Sequence, residues 1–129
     1  MTQNNNRYQK WSDAAFQAWV NQDVDATEAL WAEDATRQSM DSFDESAPLR
    51  GRAAIIEALT SWGDAQPKIL KNRILCFNSE YGIGNARAEW VGQDTRLWRC
   101  DFIYKIALNS KGQCTSYLEW NVIRSKEST

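Results

Sequence analysis

The residues best equipped for chemistry gather toward one end of the chain, as Arg99-Cys100-Asp101 in one run and Tyr117, Glu119 and Asn121 in the next. Two carboxylates bracketing a guanidinium in a dry pocket can divide acid-base work. Like charges push their proton affinities apart, so that one group gives a proton while the other takes it. The competing reading is structural: Arg99 pairs across a sheet with Glu89 or Glu119, and the charges simply satisfy each other. No histidine occurs among the 129 residues. The commonest metal ligand and general base are therefore missing, proton transfer has to use carboxylates, Tyr, Cys or Lys, and no metal or cofactor is expected.

These residues are held by the stretch from Leu97 to Arg124, in which two alternating runs flank Asn109-Ser110-Lys111-Gly112 and predict a long β-hairpin. A type I turn with Gly112 in the left-handed position sets Asn109 opposite Gln113. Continued without interruption, that register puts Phe102 opposite Trp120, Tyr104 opposite Leu118 and Cys100 opposite Val122, while Asp101 meets Asn121 and Ile103 meets Glu119. Apolar residues then share one face, with Trp98, Phe102, Tyr104, Leu118 and Trp120 too large to leave in water. Arg99, Asp101, Tyr117, Glu119 and Asn121 share the other. If the mixed face lines a pocket, the apolar face is outside and predicts a homodimer; if the assignment is inverted, the same aromatics form the pocket wall and Asp101 points to solvent.

The rest of the chain supplies helices first and strands afterwards, an α+β order. Residues 1–6 form a polar arm, residues 7–125 a single domain, and residues 126–129 a tail. From Arg7 to Asn21, Tyr8, Trp11, Ala15, Phe16, Trp19 and Val20 recur at helical spacing, and Tyr8 and Trp11 are candidate pocket-lining residues as well as core ones. Asp23 or Asp25 can cap a short helix carrying Ala29, Leu30 and Trp31. Ala35 to Phe43 reads as a polar edge strand that presents Asp41, a further candidate for the pocket. Ala53 to Trp62 gives a third helix, and Ile69 to Phe77 and Ile83 to Val91 are strands. The three cysteines have no CxxC spacing and are expected to be buried thiols; Cys100 has no cation beside it to make it a nucleophile. A formal charge of -2 without a Lys/Arg cluster gives no footprint for nucleic acid, and no apolar run approaches bilayer length. The start of the sequence has no signal-peptide pattern, so a cytoplasmic setting is expected.

Three segments in order resemble the SnoaL-like branch of the nuclear transport factor 2-like superfamily: the first helix followed by NQDVDATEALWAEDA, then PLRGRAAIIEAL, then DFIYKIALNSKGQCTSYLEW. The resemblance implies three helices packed in the cone of a curved antiparallel sheet, a cystatin-like α+β barrel, with a pocket inside and often a dimer through the sheet's outer face. It also sets Arg99-Cys100-Asp101 and Glu119 beside the Arg-x-Asp and last-strand acid of limonene epoxide hydrolase. It further allows the single-Asp chemistry of polyketide cyclases and ketosteroid isomerase, with Asp101 or Asp41 in that role. The expectation is thus a cofactor-free protein that binds a small apolar molecule in the cone, with carboxylate acid-base catalysis carried by Asp101, Arg99 and Glu119. A non-catalytic dimeric binding or interaction module is the alternative, since one fold hosts many functions.

Overall fold

The aromatic repeat near the N-terminus forms the first helix, α1 (Thr2–Asn21), in a computed structural model that describes residues 2–40, 47–63 and 65–127. The helix starts ahead of the apolar repeat, because a helix once nucleated gains one hydrogen bond per added residue without needing apolar contact. Asp23 caps α2 (Val24–Leu30) by accepting from the Ala26 N-H. Trp31 leaves the helical pattern: its backbone is extended and it opens β1 (Trp31–Met40). After the two-residue β2 (Leu49–Arg50) comes α3 (Arg52–Leu59), shorter than its apolar pattern suggests. The chain departs at Thr60, and the Gln22 side chain holds the new path by accepting from the Trp62 N-H (2.9 Å) and donating to the Leu59 carbonyl (2.9 Å).

Strands β3 (Lys68–Phe77), β4 (Gly82–Val91), β5 (Arg96–Leu108) and β6 (Cys114–Glu127) form a meander, and the sheet order is β2-β1-β6-β5-β4-β3. The curved sheet is mixed rather than wholly antiparallel. β1 runs parallel to β6, because everything between them crosses over before β6 returns beside β1.

The hairpin turn is as the sequence indicates. Gly112 takes a positive φ of 78°, and the Asn109 N-H donates to Gln113 O at 2.9 Å. Beyond the turn the register differs. Leu108 pairs with Cys114 but Ala107 pairs with Ser116, leaving Thr115 as an extra residue in a β-bulge. One inserted residue reverses every later side chain of β6. Phe102 therefore faces Asn121 and not Trp120, Tyr104 faces Glu119 and not Leu118, and Asp101 faces Val122 and not Asn121.

The inner face, against α1, carries Cys100, Phe102, Tyr104 and Ile106 of β5 together with Tyr117, Glu119 and Asn121 of β6. Trp98 lies on this face too, paired with Trp90. Hence Phe102 and Tyr104 are core residues and Trp98 is an inward one, whereas Leu118 and Trp120 of the expected apolar face point out with Ile103 and Val122. Opposite the rings, β4 presents Gly82, Gly84, Ala86 and Ala88. A Cβ on Gly84 would lie 2.4 Å from the Tyr104 ring and one on Gly82 2.8 Å from that of Tyr8, so the small residues make room for aromatic rings laid flat on the sheet. Cys100 and Cys114 are buried, but Cys76 is exposed, because it follows a register shift on the edge strand β3 and turns outward.

Deleting Thr115 should remove the bulge, drive Leu118 and Trp120 inward and expel Tyr117 and Glu119. A loss of about 3 kcal/mol or more in urea unfolding, with collapse of the near-UV dichroism of the packed aromatics, is the expected outcome. An unchanged midpoint would show that the register is set elsewhere.

Candidate functional site

The parallel pair β1 and β6 builds the polar part of the interior. In its register Arg37 lies beside Tyr117 and Ser39 beside Glu119, so four side chains that are far apart in sequence meet on one surface. Glu119 is only 3 % exposed. Its Oε1 accepts from Tyr117 Oη at 2.8 Å and from Arg37 Nη2 at 3.3 Å, and its Oε2 accepts from Asn121 Nδ2 at 3.0 Å. The Arg37 guanidinium also lies 5.1 Å from the centre of the Tyr117 ring, a cation-π contact that holds it in place.

This cluster is one wall of a cavity of about 260 Å³ between α1, α3 and the inner face. The other walls are mostly aromatic. Trp11 and Trp31 pack on Tyr117, Phe16 packs on Phe102, and Trp62 meets both Trp19 and Trp90 edge to face at 4.9 and 5.1 Å. The side of the interior next to β3 is filled: Ser12, Asn72 and the Tyr104 hydroxyl form a hydrogen-bonded knot between α1 and the sheet.

Burial pushes the Tyr117 phenol well above its ordinary value, and the nearby Glu119 charge adds to this, so it is a proton donor to Glu119 and not an anion. Burial, and then the charges of Glu119 and Asp101, push the Cys100 thiol up to about 12. Though it lines the cavity, Cys100 is not a nucleophile at neutral pH. Among the described residues no cluster of three His, Cys, Asp or Glu side chains is placed to hold a metal ion.

Solved structures share this arrangement of helices and sheet. An LEH-like epoxide hydrolase from M. tuberculosis superposes with a TM-score of 0.73 at 12% identity, over 92% of this chain and 85% of that one. An NTF2-like protein from Burkholderia xenovorans LB400 gives 0.72 at 16%, over 92% and 91%. SalBIII, an epoxide hydrolase/cyclase-like enzyme with a role in pyran ring formation in polyether salinomycin, gives 0.72 at 17%, over 95% and 98%. The chain has the nuclear transport factor 2-like fold. No protein-family model matches the sequence, and no curated protein sequence does.

On this nuclear transport factor 2-like frame the sequence-derived site divides. Glu119, Tyr117, Asn121 and Trp11 line the cavity. Asp101 and Arg99 do not: they lie on the outer face, on the opposite side of β5 from Cys100 and Phe102. Asp101 accepts there from Arg87 Nε at 2.7 Å and lies 3.6 Å from Arg124, while Arg99 pairs with Glu89 at 2.6 Å. The structural reading of Arg99 therefore describes its contacts, with Glu89 as the partner. Asp101 and Glu119 cannot share one pocket, since the sheet separates them. Tyr8 is buried at the other end of α1, its ring against Gly82 and its hydroxyl donating to the Asn78 carbonyl at 3.0 Å. Asp41 lies outside the described residues.

Sequence reasoning missed Arg37 and Ser39. The available signal was the alternation of β1, which puts both on the face of the buried Ala35. Trp19, Trp62 and Trp90 were also missed as cavity walls.

The two kinds of ion pair should respond differently to loss of the arginine. Arg37→Met leaves a buried carboxylate short of its cation and should cost about 3 kcal/mol. Arg99→Met breaks a pair whose arginine is 43% exposed and should cost less than about 1 kcal/mol. Urea midpoints compare them directly, and equal losses would overturn the distinction.

Proposed function

We propose that this protein binds a small, largely apolar molecule in its cone and acts on it by proton transfer at Glu119. The observation that carries the reading is a buried carboxylate, tied by three donors, on the wall of an otherwise aromatic cavity. Oε1 is occupied by Tyr117 and Arg37. Oε2 has accepted one N-H and keeps a lone pair for a proton from water or from the ligand. Arg37 stands beside the carboxylate to stabilise negative charge that develops on an oxygen of the ligand, and the low-polarity walls strengthen that interaction. Such proton transfer serves isomerisation, cyclisation, dehydration and epoxide opening alike. Two of the similar structures are described as an LEH-like epoxide hydrolase and an epoxide hydrolase/cyclase-like enzyme, which supports this group of reactions.

Asp101 takes no part in this proposal, because its arginine partners lie on the outer face and no wall of the cavity reaches it. A metal or other cofactor has no step to perform in it. No helix among the described residues is long and apolar enough to cross a membrane, and a cytoplasmic setting suits the unpaired thiols.

A ligand present at about a hundred times its Kd should stabilise the protein by about 2.7 kcal/mol, visible as a rise of several degrees in Tm across a panel of small epoxides, ketones and alcohols. Glu119→Gln keeps the shape of the site and should lower turnover of any substrate so found by about a hundredfold or more. Undiminished turnover would remove Glu119 from the mechanism, and a panel without one stabilising member would remove the cavity as a binding site.

A second, non-catalytic reading is favoured by the outer face, where Ile103, Trp120 and Val122 are 41, 44 and 48% exposed beside Leu118. Contiguous apolar surface of this kind suits a subunit contact, and we infer a homodimer through it. Sedimentation should give twice the chain mass, with Trp120→Glu shifting it to the monomer. A monomeric wild type at high concentration would refute the contact.

A further inference from the structure

The outer face of the sheet, away from the cavity, collects positive charge. On that face β3 carries Lys68, Lys71 and Arg73 and β5 carries Lys105, while toward the turn between β4 and β5 the cations Arg87, Arg99, Arg124 and Lys126 stand around the acids Glu89 and Asp101. Eight of the fifteen Lys and Arg thus meet two of the seventeen Asp and Glu, which gives the outer face of β3 to β6 a formal charge of +6 in a chain of -2. No two of the eight are adjacent in sequence, so the chain shows no Lys/Arg cluster until strand register assembles one.

Where that face nears the turn lies a shallow cleft of about 200 Å³, lined by Glu89, Leu97, Arg99, Arg124, Ser125 and Lys126. Its charges do not cancel. Glu89 is occupied by Arg99 at 2.6 Å, and Asp101 beside the cleft is occupied by Arg87 at 2.7 Å. Arg124 reaches Asp101 only at 3.6 Å, behind that closer partner, and no carboxylate of the described residues pairs with Lys126. Each acid therefore has its own arginine, and two cations remain. Both are open to a ligand, since the Arg124 side chain is 66% exposed and Lys126 is exposed. Lysines on an edge strand keep other strands away, but β5 and β6 lie inside the sheet, so that need does not account for Arg99, Arg124 or Lys126. Two remaining positive charges suit a dianion. A phosphate monoester carries about -1.5 to -2 near neutral pH and offers three acceptor oxygens, whereas a carboxylate or a sulfate ester brings one charge. Leu97 supplies an apolar wall for an organic group, and the field of the whole face draws anions toward the cleft.

We propose that this cleft binds a small phosphate monoester, its doubly charged group against Arg124 and Lys126 and its organic part against Leu97. The site is separate from the cavity and does not rest on the reading of it, because Arg99 and Arg124 stand on the opposite side of the sheet from Cys100 and Phe102. Arg99 and Arg124 also lie four residues along their strands from Ile103 and Trp120 of the apolar subunit contact, so the two surfaces occupy different stretches of β5 and β6.

Calorimetric titration of the full chain with phenyl phosphate, phenyl sulfate and inorganic phosphate tests it, at about 20 mM salt, where screening is weak. Phenyl phosphate should bind at least about fivefold more tightly than phenyl sulfate, which has the same ring and a single charge, and at least about threefold more tightly than inorganic phosphate, which has no ring. Replacing both remaining cations, Arg124→Gln together with Lys126→Gln, should weaken phenyl phosphate at least about fivefold. Both side chains are exposed, so the double variant keeps the fold. Equal affinity for phenyl sulfate overturns the selection of a dianion, and equal affinity for inorganic phosphate overturns the contact with Leu97. Undiminished binding by the double variant overturns the site, as does a wild type that fails to bind phenyl phosphate at about 10 mM.

Discussion

The arrangement of the whole interior depends on one unpaired residue. Thr115 is the extra residue of a bulge, and beyond it β6 shows its odd-numbered side chains to the cone and its even-numbered ones to the outside. Without that insertion the same strand would present Ser116, Leu118 and Trp120 to α1, and the interior would hold neither the carboxylate nor the phenol that caps it. A bulge close to a hairpin turn is a small perturbation in backbone terms, yet the pleat carries it along the strand as a complete exchange of faces. Uniform apolar pairing therefore does not describe this sheet. Phe102 stands opposite Asn121 and Tyr104 opposite Glu119, and the polar members are tolerated because each has partners across the neighbouring parallel strand or along its own.

The filled and the empty parts of the cone have different causes. Near β3 the sheet presents glycine and alanine, so rings lie close to the backbone. Tyr104 settles over Gly84, and its hydroxyl joins Ser12 and Asn72 in a knot that fixes α1. Toward α3 the walls are indoles in edge-to-face contact. Such rings hold one another at fixed separations and cannot collapse inward as flexible aliphatic chains do. Gln22 contributes from the surface, since its side chain bonds both Leu59 and Trp62 and so sets where the chain leaves α3. Stiff groups thus bound the cavity at both ends.

The three helices, the Gly112 turn and Asp23 as one of two candidate caps were legible in the sequence, because each rests on local periodicity or on a residue with one conformational role; the nuclear transport factor 2-like architecture was read from the resemblance of three segments. What was not legible has a common origin. The alternation rule assigns faces correctly within an unbroken strand, and it carried Cys100, Phe102 and Tyr104 together as one set. It has no means of registering a bulge whose residue, a threonine, is an ordinary strand residue. The sequence pattern therefore named Glu119, Tyr117 and Asn121 as one group while attaching Asp101 and Arg99 to the wrong side of it. The parallel pairing of β1 with β6 was hidden for a different reason. It joins segments about eighty residues apart, and nothing in either announces the other; Arg37 was consequently missed although its cation completes the cluster.

Retention of the Arg37–Glu119 pair is itself an argument about purpose. Moving two charges into a poorly polar interior is costly, and their mutual attraction rarely does more than offset the loss of water. At this position a pair of leucines could have filled the same cavity and stabilised the fold by packing. The pair stands instead on the wall of an aromatic cavity, with Tyr117 and Asn121 both donating to the carboxylate. A charged pair at that place adds little to stability, which suits the proposed role of Glu119 in proton transfer better than a role in packing alone. Groups already held in place in this way need no reorganisation when charge develops beside them. The same bulge that costs β6 its regular pairing is what brings those groups to the inside.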